Sequence, residues 1–533
     1  SFDEVLDRIG GFGRFQKTLY VWICLPQIFL AFHMLVSVFT GAVPPHLCRS
    51  SQPVGDAPWL GLNNSNASWE TCSSLQNVQL SQLNHSDLSL PISEHSTTSK
   101  SCKGGWEFSK DVFLSTVVTE WDLVCENATL NNIGSSIYMF GLLVGAVLFG
   151  ALADKYGRKI IILIGLAAQV IFGVGAAFAP NFYIYVMLRF VVGMTVSAVI
   201  MNAFVLGTEW TGPKQRMLAG VITDYFFGFG YILLAGVAYL IPDWRKLQLA
   251  ISAPGFLFLF YIWVLPKSAR WLMANQKHEE ALDLIHKAAL INGKPLGDDD
   301  IELFQSLKKG EKLEDQRKYT VIDLVRTPTM RKQSLILFYL WFVNVLVYYG
   351  LSLNISDFDM NIYLTQMIFG LVEMPARTVT LFTLNRSRRI SQLAFLATGG
   401  LACLLTIFIP DDLSVVRTAL AMVGKFGITA SLSIVYIYSA EVFPTVIRQN
   451  GIGMGSMCAR AGGVIAPVIY LLRNSSHHAP MVVFGLCPLI GAALTMFLPE
   501  TAHKPLPDSI EDVERTGDRL VGLDAAPQDP TGG

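Results

Sequence analysis

Long apolar runs recur along the whole chain, separated by short polar turns and by two longer hydrophilic stretches. A helix that crosses the hydrocarbon core of a bilayer needs roughly 20 mostly apolar residues. The runs predict twelve transmembrane helices, at residues 18–43, 132–153, 160–179, 182–206, 218–241, 247–265, 334–353, 361–384, 390–409, 413–439, 451–472 and 481–498. The pattern therefore predicts an all-α membrane protein.

The first hydrophilic stretch, residues 44–131, is typical of a segment outside the cell. Its glycosylation sequons are at Asn63, Asn66, Asn84 and Asn127, and its cysteines are Cys48, Cys72, Cys102 and Cys125. Sequons beside an even number of cysteines indicate an oxidising exterior. We therefore expect these cysteines to form disulfides, in one of three pairings between which the sequence does not choose.

The second hydrophilic stretch, residues 266–333, is typical of the cytoplasmic side. It holds 13 Lys or Arg residues and no Cys, which is the positive-inside pattern, and it predicts amphipathic helices, for example at 278–290. An even number of spans then places both termini in the cytoplasm. The expected organisation is a cytoplasmic N-terminus at 1–17, helix 1 at 18–43, a glycosylated, disulfide-bearing extracellular loop at 44–131, helices 2–6 at 132–265, a cytoplasmic loop at 266–333, helices 7–12 at 334–498 and a cytoplasmic tail at 499–533.

The two halves of the chain repeat each other at a nearly fixed offset. Glu209 and Arg216 lie seven residues apart after the fourth run, and Glu441 and Arg448 repeat this spacing 232 positions later. Two further motifs, after the sixth and the second runs, recur at offsets of 233 and 230. Three matches in register predict two pseudo-symmetric halves of six helices each.

Composition narrows the classes of function. Of 533 residues, 52% are hydrophobic and 15% are charged, and the net charge is −1, whereas soluble domains are about 25% charged. These values exclude a disordered chain, a nucleic-acid binder and an ordinary cytosolic enzyme. The chain also lacks Walker A, Gly-x-Ser-x-Gly, His-Glu-x-x-His and clustered His/Cys motifs, so we expect no enzymatic activity, cofactor or metal site.

Several short motifs resemble a known transporter family. Residues 150–159, with the pattern Gly-x3-Asp-x2-Gly-Arg-Lys, are similar to the loop between helices two and three of the major facilitator superfamily. The motifs at 104–106, 120–125, 268–272 and 441–448 (Gly-Gly-Trp, Glu-Trp-Asp-Leu-Val-Cys, Ser-Ala-Arg-Trp-Leu and Glu-Val-Phe-Pro-Thr-Val-Ile-Arg) resemble solute carrier family 22, the polyspecific organic ion transporters. The resemblance covers almost the whole chain, short of its last twenty residues.

The chain departs from the family pattern at two cytoplasmic helix ends. Lys267 stands where the family usually has Glu, and Ser387 and Leu384 stand where the second-half loop often has Gly and an acid. These departures concern gate contacts at the cytoplasmic helix ends and leave the expected fold unchanged.

The resemblance implies a transporter in the plasma membrane that works by alternating access as a monomer. The implied substrates are small organic anions with an aromatic or apolar body, exchanged for an intracellular anion. The stretches at 348–353, 363–370 and 372–377 look closest to the member 13 branch, which handles urate and nicotinate, and a member 7 type is the alternative. An organic cation or carnitine-type transporter and a non-transporting sensor or scaffold stay open as other functions.

Charged residues inside the apolar runs indicate where a site lies. They are Arg189, Asp224, Glu373, Arg377, Lys425 and Arg460. Charges at membrane depth are costly and usually face a functional interior, and four bases against two acids favour anions. Glu373 and Arg377, one turn apart, either neutralise each other or contact the substrate. Asp224 has three open roles: pairing with a base, binding a proton or favouring a cation.

Arg460 is the strongest candidate for a substrate contact. Its own run contains no acid, its neighbours are small, and a guanidinium matches a carboxylate with two hydrogen bonds. The resemblance implies the same, because anion members carry a base at this place and at that of Arg377, whereas cation members carry an acid in place of Arg460. We expect further binding residues at Tyr348, Tyr349, Phe227, Tyr436, Trp341, Asn202, Ser431, Lys425, His33 and Asp224.

A second set of charges predicts a gate at the cytoplasmic helix ends. Its members are repeated in the two halves: Asp154, Arg158, Glu209, Arg216, Glu441 and Arg448. We expect ion pairs between the halves to close this side and to dissolve when the halves rock about a central site. Ordinary positive-inside charge would not explain the acids.

Overall fold

The computed structural model describes residues 2–48, 104–310, 318–358 and 360–524. The twelve helices at the positions of the predicted spans, here α1 to α12, are Arg14–Leu35, Ala128–Tyr156, Arg158–Ala177, Phe182–Trp210, Arg216–Leu240, Trp244–Ser252, Pro328–Leu353, Ile362–Thr383, Arg388–Leu405, Ser414–Val442, Arg448–Tyr470 and Ala479–Thr495. Of the predicted glycosylation and disulfide residues, Asn63, Asn66, Asn84, Cys72 and Cys102 lie outside the described residues.

The helices account for the twelve predicted spans. Ten helical segments of the described chain are long and apolar enough to cross a membrane. The other two are α8, which carries Glu373 and Arg377, and α12, which has 17 residues. The predicted all-α fold class is therefore confirmed.

Local sequence signals fix the start of several helices. The side chains of Asn181, Asn361 and Ser387 accept hydrogen bonds from backbone N–H groups in the first turns of α4, α8 and α9. Asn and Ser are preferred at this position because they satisfy donors that the helix leaves free. Each of these helices thus begins where a short polar side chain caps it.

Two spans are less regular than the hydropathy pattern predicts. The first ends at Leu35 and continues as a separate short helix, Ser37–Thr40. The sixth continues from α6 through the 3₁₀ segment Ala253–Phe260 into Tyr261–Val264. Pro254 lies at the start of the 3₁₀ segment, and proline lacks the N–H that a regular α-helix needs there.

The helices pack as two halves that are related by a shift of six helices. In the first half α1 contacts α4 and α5, α4 contacts α2 and α3, and α3 contacts α6. In the second half the same pattern joins α7 to α10 and α11, α10 to α8 and α9, and α9 to α12. The halves meet through α2 with α11 and through α5 with α8, and the same shift interchanges these two contacts. The sequence repeat therefore corresponds to a structural repeat, in which equivalent helices of the two halves make equivalent contacts.

Both termini and the segment after the sixth span lie at one end of the bundle, here called the terminus-side end. Short helices cover it, at Phe2–Arg8, Ala269–Ala274, His278–Ile291, Asp298–Gly310, Asp323–Arg326 and Ile510–Asp524. Asp3 accepts hydrogen bonds from Arg216 at 2.8 Å and Arg270 at 2.7 Å. Glu514 accepts one from the backbone N–H of Thr329 at 3.1 Å. Each terminus is thus tied to one half of the bundle.

The opposite end carries a small antiparallel sheet of two strands, β1 (His46–Cys48) and β2 (Trp106–Phe108). Residues of β2 pack against an aromatic cluster in which the ring of Trp244 lies 5.3 Å from those of Trp121 and Tyr185. Cys125 is disulfide-bonded here. The described parts of the predicted extracellular loop therefore pack against the first half.

The two halves touch each other at this opposite end. The ring of Tyr363, at the start of α8, lies 5.4 Å from the ring of Phe39 and 5.4 Å from that of Tyr239, which both belong to the first half. The hydroxyl of Ser136 on α2 donates to the backbone carbonyl of Val464 on α11 at 2.9 Å. The bundle is therefore packed shut on this side.

Candidate functional site

A cavity of about 270 Å³ lies between the two halves. Its walls come from α1, α2, α4 and α5 of the first half and from α7, α8, α10 and α11 of the second. The shift of six helices interchanges these two sets of walls. Apolar cavities with a few polar side chains are typical sites for small ligands. No group of three His, Cys, Asp or Glu side chains in the described chain could hold a metal ion.

Six of the residues predicted to bind a ligand line this cavity: Arg377, Arg460, Asp224, Phe227, Tyr348 and Tyr349. The rings of Tyr348 and Tyr349 contact each other edge to face, with centroids 5.1 Å apart. The cavity therefore combines aromatic walls with two guanidinium groups and one carboxylate.

Arg377 and Asp224 form an ion pair that joins the two halves. The Nη1 atom of Arg377 lies 2.9 Å from Oδ2 of Asp224 and 3.3 Å from Oγ of Ser433. The Asp224 side chain is 43% exposed and the Arg377 side chain is 11% exposed, so the carboxylate faces the cavity more than the guanidinium does. The sequence leaves three roles open for Asp224: pairing with a base, binding a proton or favouring a cation. In the structure Asp224 pairs with a base, Arg377.

Glu373 pairs with a lysine on another helix and not with Arg377, its neighbour one turn away. Its Oε1 atom lies 3.3 Å from Nζ of Lys425 and accepts a hydrogen bond from the hydroxyl of Tyr348. The Lys425 ammonium also lies 3.2 Å from the centroid of the Tyr348 ring and donates to Ser352. Since Glu373 is 1% exposed and Lys425 is fully buried, the pair lies behind the cavity wall and fixes Tyr348 in that wall.

Arg460 has no acidic partner among the described residues. Its Nη1 atom donates to Oγ of Ser456 and lies 3.4 Å from the Ser456 carbonyl, one turn earlier on α11. Ala459 and Gly463, which also line the cavity, are too small to cover the guanidinium. A guanidinium has five N–H donors, so most of the Arg460 donors are available to a ligand in the cavity.

Arg189 and His33 lie away from this cavity and brace the first half. Arg189 is 4% exposed, and its Nη2 atom donates to the backbone carbonyl of His33 at 3.0 Å. Its guanidinium lies 4.0 Å from the centroid of the Tyr138 ring. These contacts join α1, α2 and α4, and they supply a structural role for a charge at membrane depth.

The remaining predicted binding residues surround the cavity without lining it. Three of them form hydrogen bonds of 2.7–2.9 Å within their own half: Asn202 to Ala198, Ser431 from Gln392, and Trp341 to Ser439. The ring of Tyr436 lies 6.0 Å from that of Trp341 and 5.9 Å from that of Phe204. Their contact with a ligand, like that of Lys425 and His33, stays a prediction.

The predicted gate residues pair within each half. In the first half, Arg158 lies 2.6 Å from Asp154 and 3.6 Å from Glu209. In the second half, Arg388 lies 3.1 Å from Glu441. The same geometry therefore recurs at the corresponding helix ends, as the repeat requires.

These contacts differ from the expected ion pairs between the halves. Arg216 pairs with Asp3 of its own half, and Arg448 donates to Thr445 at 3.4 Å. Within the part of the chain that the structure describes, Arg377 with Asp224 is the ion pair that links the halves. The terminus-side ion pairs instead join neighbouring helix ends within one half.

The sequence pattern did not single out three polar residues of the cavity, Gln27, Ser197 and Ser456. Ser456 precedes Arg460 by four residues, a spacing that places both on one helix face. Gln27 is a polar residue inside an apolar run, next to Pro26, and is 4% exposed. The spacing of Ser456 from Arg460 and the polar Gln27 in an apolar run are both visible in the sequence, but they are weaker signals than a charged residue.

Comparison with known proteins agrees with this architecture. Residues 86–512 match the family described as "Sugar (and other) transporter". The chain is 38% identical to solute carrier family 22 member 6-A of Xenopus laevis, over 97% of this chain and 94% of that one. It is 38% identical to solute carrier family 22 member 13 of Homo sapiens, over 96% and 93% of the two chains, and 39% identical to the organic cation transporter protein of Drosophila melanogaster, over 100% and 98%.

Solved structures show the same fold. The major facilitator superfamily proton:xylose symporter XylE aligns with a TM-score of 0.58 and 15% identity, over 94% of this chain and 99% of that chain. A partially occluded inward-open form of XylE from E. coli also aligns with a TM-score of 0.58, at 17% identity over 72% and 90%. At these identities the likeness concerns the fold alone. Together with the family match and the relatives of nearly full length, it shows that the chain is a multi-pass membrane protein of the major facilitator superfamily and belongs to solute carrier family 22.

Proposed function

We propose that the protein carries small organic anions across the plasma membrane by alternating access, in exchange for an intracellular anion. The observation that carries this proposal is Arg460, whose side chain lines the central cavity with Ser456 as its hydrogen-bond partner. A positive charge at membrane depth is unfavourable unless it is compensated. A carboxylate substrate would compensate it with two charge-assisted hydrogen bonds.

The charge balance around the cavity favours an anion. Asp224 compensates Arg377, and Glu373 compensates Lys425. Three basic and two acidic side chains therefore leave one positive charge, at Arg460. A site with this balance attracts a monovalent anion and repels a cation.

The aromatic walls set the expected body of the substrate. Tyr348, Tyr349 and Phe227 line the cavity together with aliphatic side chains. Aromatic rings bind flat apolar groups through large contact areas. We therefore expect carboxylates with an aromatic or compact apolar body to fit better than strongly hydrated ones.

The same unpaired charge favours exchange over one-way transport. A reorientation of the empty protein would carry the uncompensated Arg460 guanidinium through a closed state, where desolvation is most costly. An anion bound on the return step would remove this cost. Loading the opposite side with a substrate anion should therefore accelerate uptake.

We place the terminus-side end in the cytoplasm. The described parts of the Lys- and Arg-rich segment, residues 266–310 and 318–333, lie at this end, as the positive-inside rule favours. Asn127, the sequon residue that the structure describes, lies at the opposite end. One chain supplies both walls of the cavity, so a monomer contains a complete site.

Uptake of a labelled panel into cells tests the proposal. The panel contains para-aminohippurate, urate, nicotinate, tetraethylammonium and carnitine, and the variants are Arg460→Ala and Arg460→Lys. Arg386→Ala is the matched control, because Arg386 is exposed at a helix end outside the cavity. We expect at least one anion to be carried and Arg460→Ala to lower its uptake about 10- to 100-fold, since a hydrogen bond to a charged group contributes about 1.5–3 kcal/mol.

Surface expression must match between variants. Arg460→Lys should retain part of the uptake, because lysine keeps the positive charge but cannot donate the two parallel hydrogen bonds of a guanidinium. Preloading with an unlabelled anion should stimulate uptake. Anion uptake that survives Arg460→Ala would overturn the proposal. Ligand binding without accumulation on any gradient would instead indicate a non-transporting sensor.

Asp224 favours a second candidate, an organic cation or zwitterion transporter. Its carboxylate is 43% exposed in the cavity, and the Drosophila melanogaster relative is named an organic cation transporter protein. Tetraethylammonium or carnitine uptake that persists in Arg460→Ala and is lost in Asp224→Asn would establish this candidate in place of the anion transporter.

A further inference from the structure

A second cavity, of about 530 Å³, lies on the side of the first half at the terminus-side end. Its walls are the start of α1, the start of α3, residues 263–267 at the end of the sixth span, and the helix His278–Ile291. It shares no lining residue with the central cavity. It is therefore a separate site on the outside of the bundle.

This cavity lies at the border between lipid and water. Trp263, on its wall, is 82% exposed, and Trp22 on α1 is its second tryptophan. Tryptophan is enriched at the membrane interface, where its ring meets the headgroups. Ile160, next to the cavity residue Lys159, is 45% exposed, as expected of a side chain that faces lipid. One side of the cavity thus meets acyl chains and the other side meets the polar helix His278–Ile291.

Five charged side chains line the cavity: Lys159, Lys267, Lys287, Glu280 and Asp283. The Nζ atom of Lys267 lies 2.7 Å from Oε1 of Glu280, and this hydrogen bond holds the pKa of Glu280 below its ordinary value. Among the described residues, Lys159, Lys287 and Asp283 have no ion-pair partner. The cavity therefore offers two unpaired ammonium groups, one unpaired carboxylate and a net charge of one positive.

We propose that this cavity binds the headgroup of an anionic glycerophospholipid, and that phosphatidylserine is the best match. The phosphoserine headgroup has a phosphate, a carboxylate and an ammonium group, with a net charge of one negative. Lys159 and Lys287 would bind its two anionic groups, and Asp283 its ammonium group. The acyl chains would lie along Trp263 and the neighbouring apolar surface. Basic pockets on the cytoplasmic side of transmembrane helices are known to select anionic headgroups in this way.

The bound lipid would tie the helix His278–Ile291 to the first half. Every residue of the cavity belongs to α1, α3, the end of the sixth span or that helix, so the lipid would not bridge the two halves. Its binding is therefore compatible with rocking of the halves. The inference rests on the membrane-spanning fold and not on the choice of substrate.

Lipid binding to the purified full chain tests the inference. Native mass spectrometry would count the lipid molecules retained, and thermal unfolding would be measured with added phosphatidylserine, phosphatidylglycerol or phosphatidylcholine. Because each basic residue near an anionic lipid contributes roughly fivefold to affinity, the double variant Lys159→Ala/Lys287→Ala should bind phosphatidylserine roughly 25-fold more weakly. Lys308→Ala/Lys309→Ala makes the same charge change at exposed positions outside the cavity and should leave binding unchanged.

The single variant Lys287→Ala is a control for misfolding of the double variant, because Lys287 is exposed and its replacement should leave the fold intact. It should weaken phosphatidylserine binding roughly fivefold. Asp283→Asn should narrow the preference for phosphatidylserine over phosphatidylglycerol, which lacks an ammonium group. Equal binding of phosphatidylcholine and phosphatidylserine, or an equal loss in the two double variants, would overturn the inference. Neither result would bear on the transport proposal, since the readout is lipid binding at residues remote from the central cavity.

Discussion

Lys425 is fully buried within a transmembrane helix, where an unpaired ammonium group would be strongly destabilising. Glu373 lies 3.3 Å away on another helix, and the Tyr348 ring covers the ammonium group from a further side. Since Tyr348 also lines the central cavity, the buried pair positions a wall of the candidate site. Loss of this pair should therefore lower the stability of the protein. It should affect transport indirectly, by freeing the Tyr348 side chain to move.

Replacing one partner of this pair should destabilise the protein strongly. Lys425→Met leaves the Glu373 carboxylate buried without compensation, and the expected loss is about 3–5 kcal/mol. The double variant Glu373→Gln/Lys425→Met should lose less, because no charge stays buried. The measurement is the midpoint of thermal unfolding of the purified protein, together with surface expression. Equal losses in the single and double variants would show that the two residues are not coupled.

The charged residues at membrane depth were predictable from the sequence, but their pairing was not. Each charge is conspicuous in an apolar run because of its cost. Spacing within one helix suggested Glu373 with Arg377, whereas the structure joins Glu373 to Lys425 and Arg377 to Asp224. Pairs between helices depend on tertiary packing, which the spacing of residues within one helix does not specify.

At the scale of elements, small residues let the helices approach closely. Gly462 on α11 faces the backbone of α7, and a Cβ atom added there would overlap the Phe342 carbonyl oxygen. Gly453 on the same helix has no atom within 4 Å of an added Cβ atom. Small residues at such crossings are the usual means of packing helices in membranes. The two glycines therefore form a matched pair for a test of this packing.

Gly462→Ala should destabilise the protein by about 1–3 kcal/mol, because neither backbone can move away without disturbing the contact between α7 and α11. Gly453→Ala should be neutral or stabilising by up to about 1 kcal/mol, since alanine favours a helix over glycine. Thermal unfolding of the two variants in the same detergent measures the difference. A similar midpoint for both would contradict the close packing of α11 on α7.

Hydropathy predicted which helices exist more reliably than where they end. The second span begins at Ala128 and ends at Tyr156, several residues beyond the apolar run at both ends. Polar turns of a helix that project from the hydrocarbon core give no apolar signal, so the run is shorter than the helix. Conversely, Pro254 interrupts an apolar run with 3₁₀ geometry, which average hydropathy does not register.

At the scale of the whole molecule, the pseudo-symmetry determines where the halves touch. The contacts of α2 with α11 and of α5 with α8 are interchanged by the repeat, and the aromatic contact of Phe39 with Tyr363 closes the end opposite the termini. A carrier that exposes its central cavity alternately to the two sides must open this contact once in each cycle. A covalent bridge across it should therefore stop transport without unfolding either half.

The bridge would join Phe39→Cys and Tyr363→Cys with a short bifunctional thiol reagent, in a background where Cys458 and Cys487, the partly exposed free cysteines, are serine. The rings of these residues are stacked 5.4 Å apart, so the reagent should react without moving the helices. We expect uptake of the transported substrate to fall at least about tenfold, because the halves no longer rock apart at this end. With a bis-methanethiosulfonate as the reagent, each cysteine is joined through a disulfide, so uptake should recover when a reductant cleaves the bridge.

A bridge within one half is the control for this experiment. Trp121→Cys and Tyr185→Cys replace rings 5.8 Å apart that both belong to the first half, and rocking of the halves as rigid bodies does not change their separation. Cross-linking there should leave uptake unchanged. If the bridge between the halves were also harmless, the contact between Phe39 and Tyr363 would persist throughout the cycle. Access to the cavity from that side would then have to open elsewhere, and the two halves would not move as the symmetry of their packing requires.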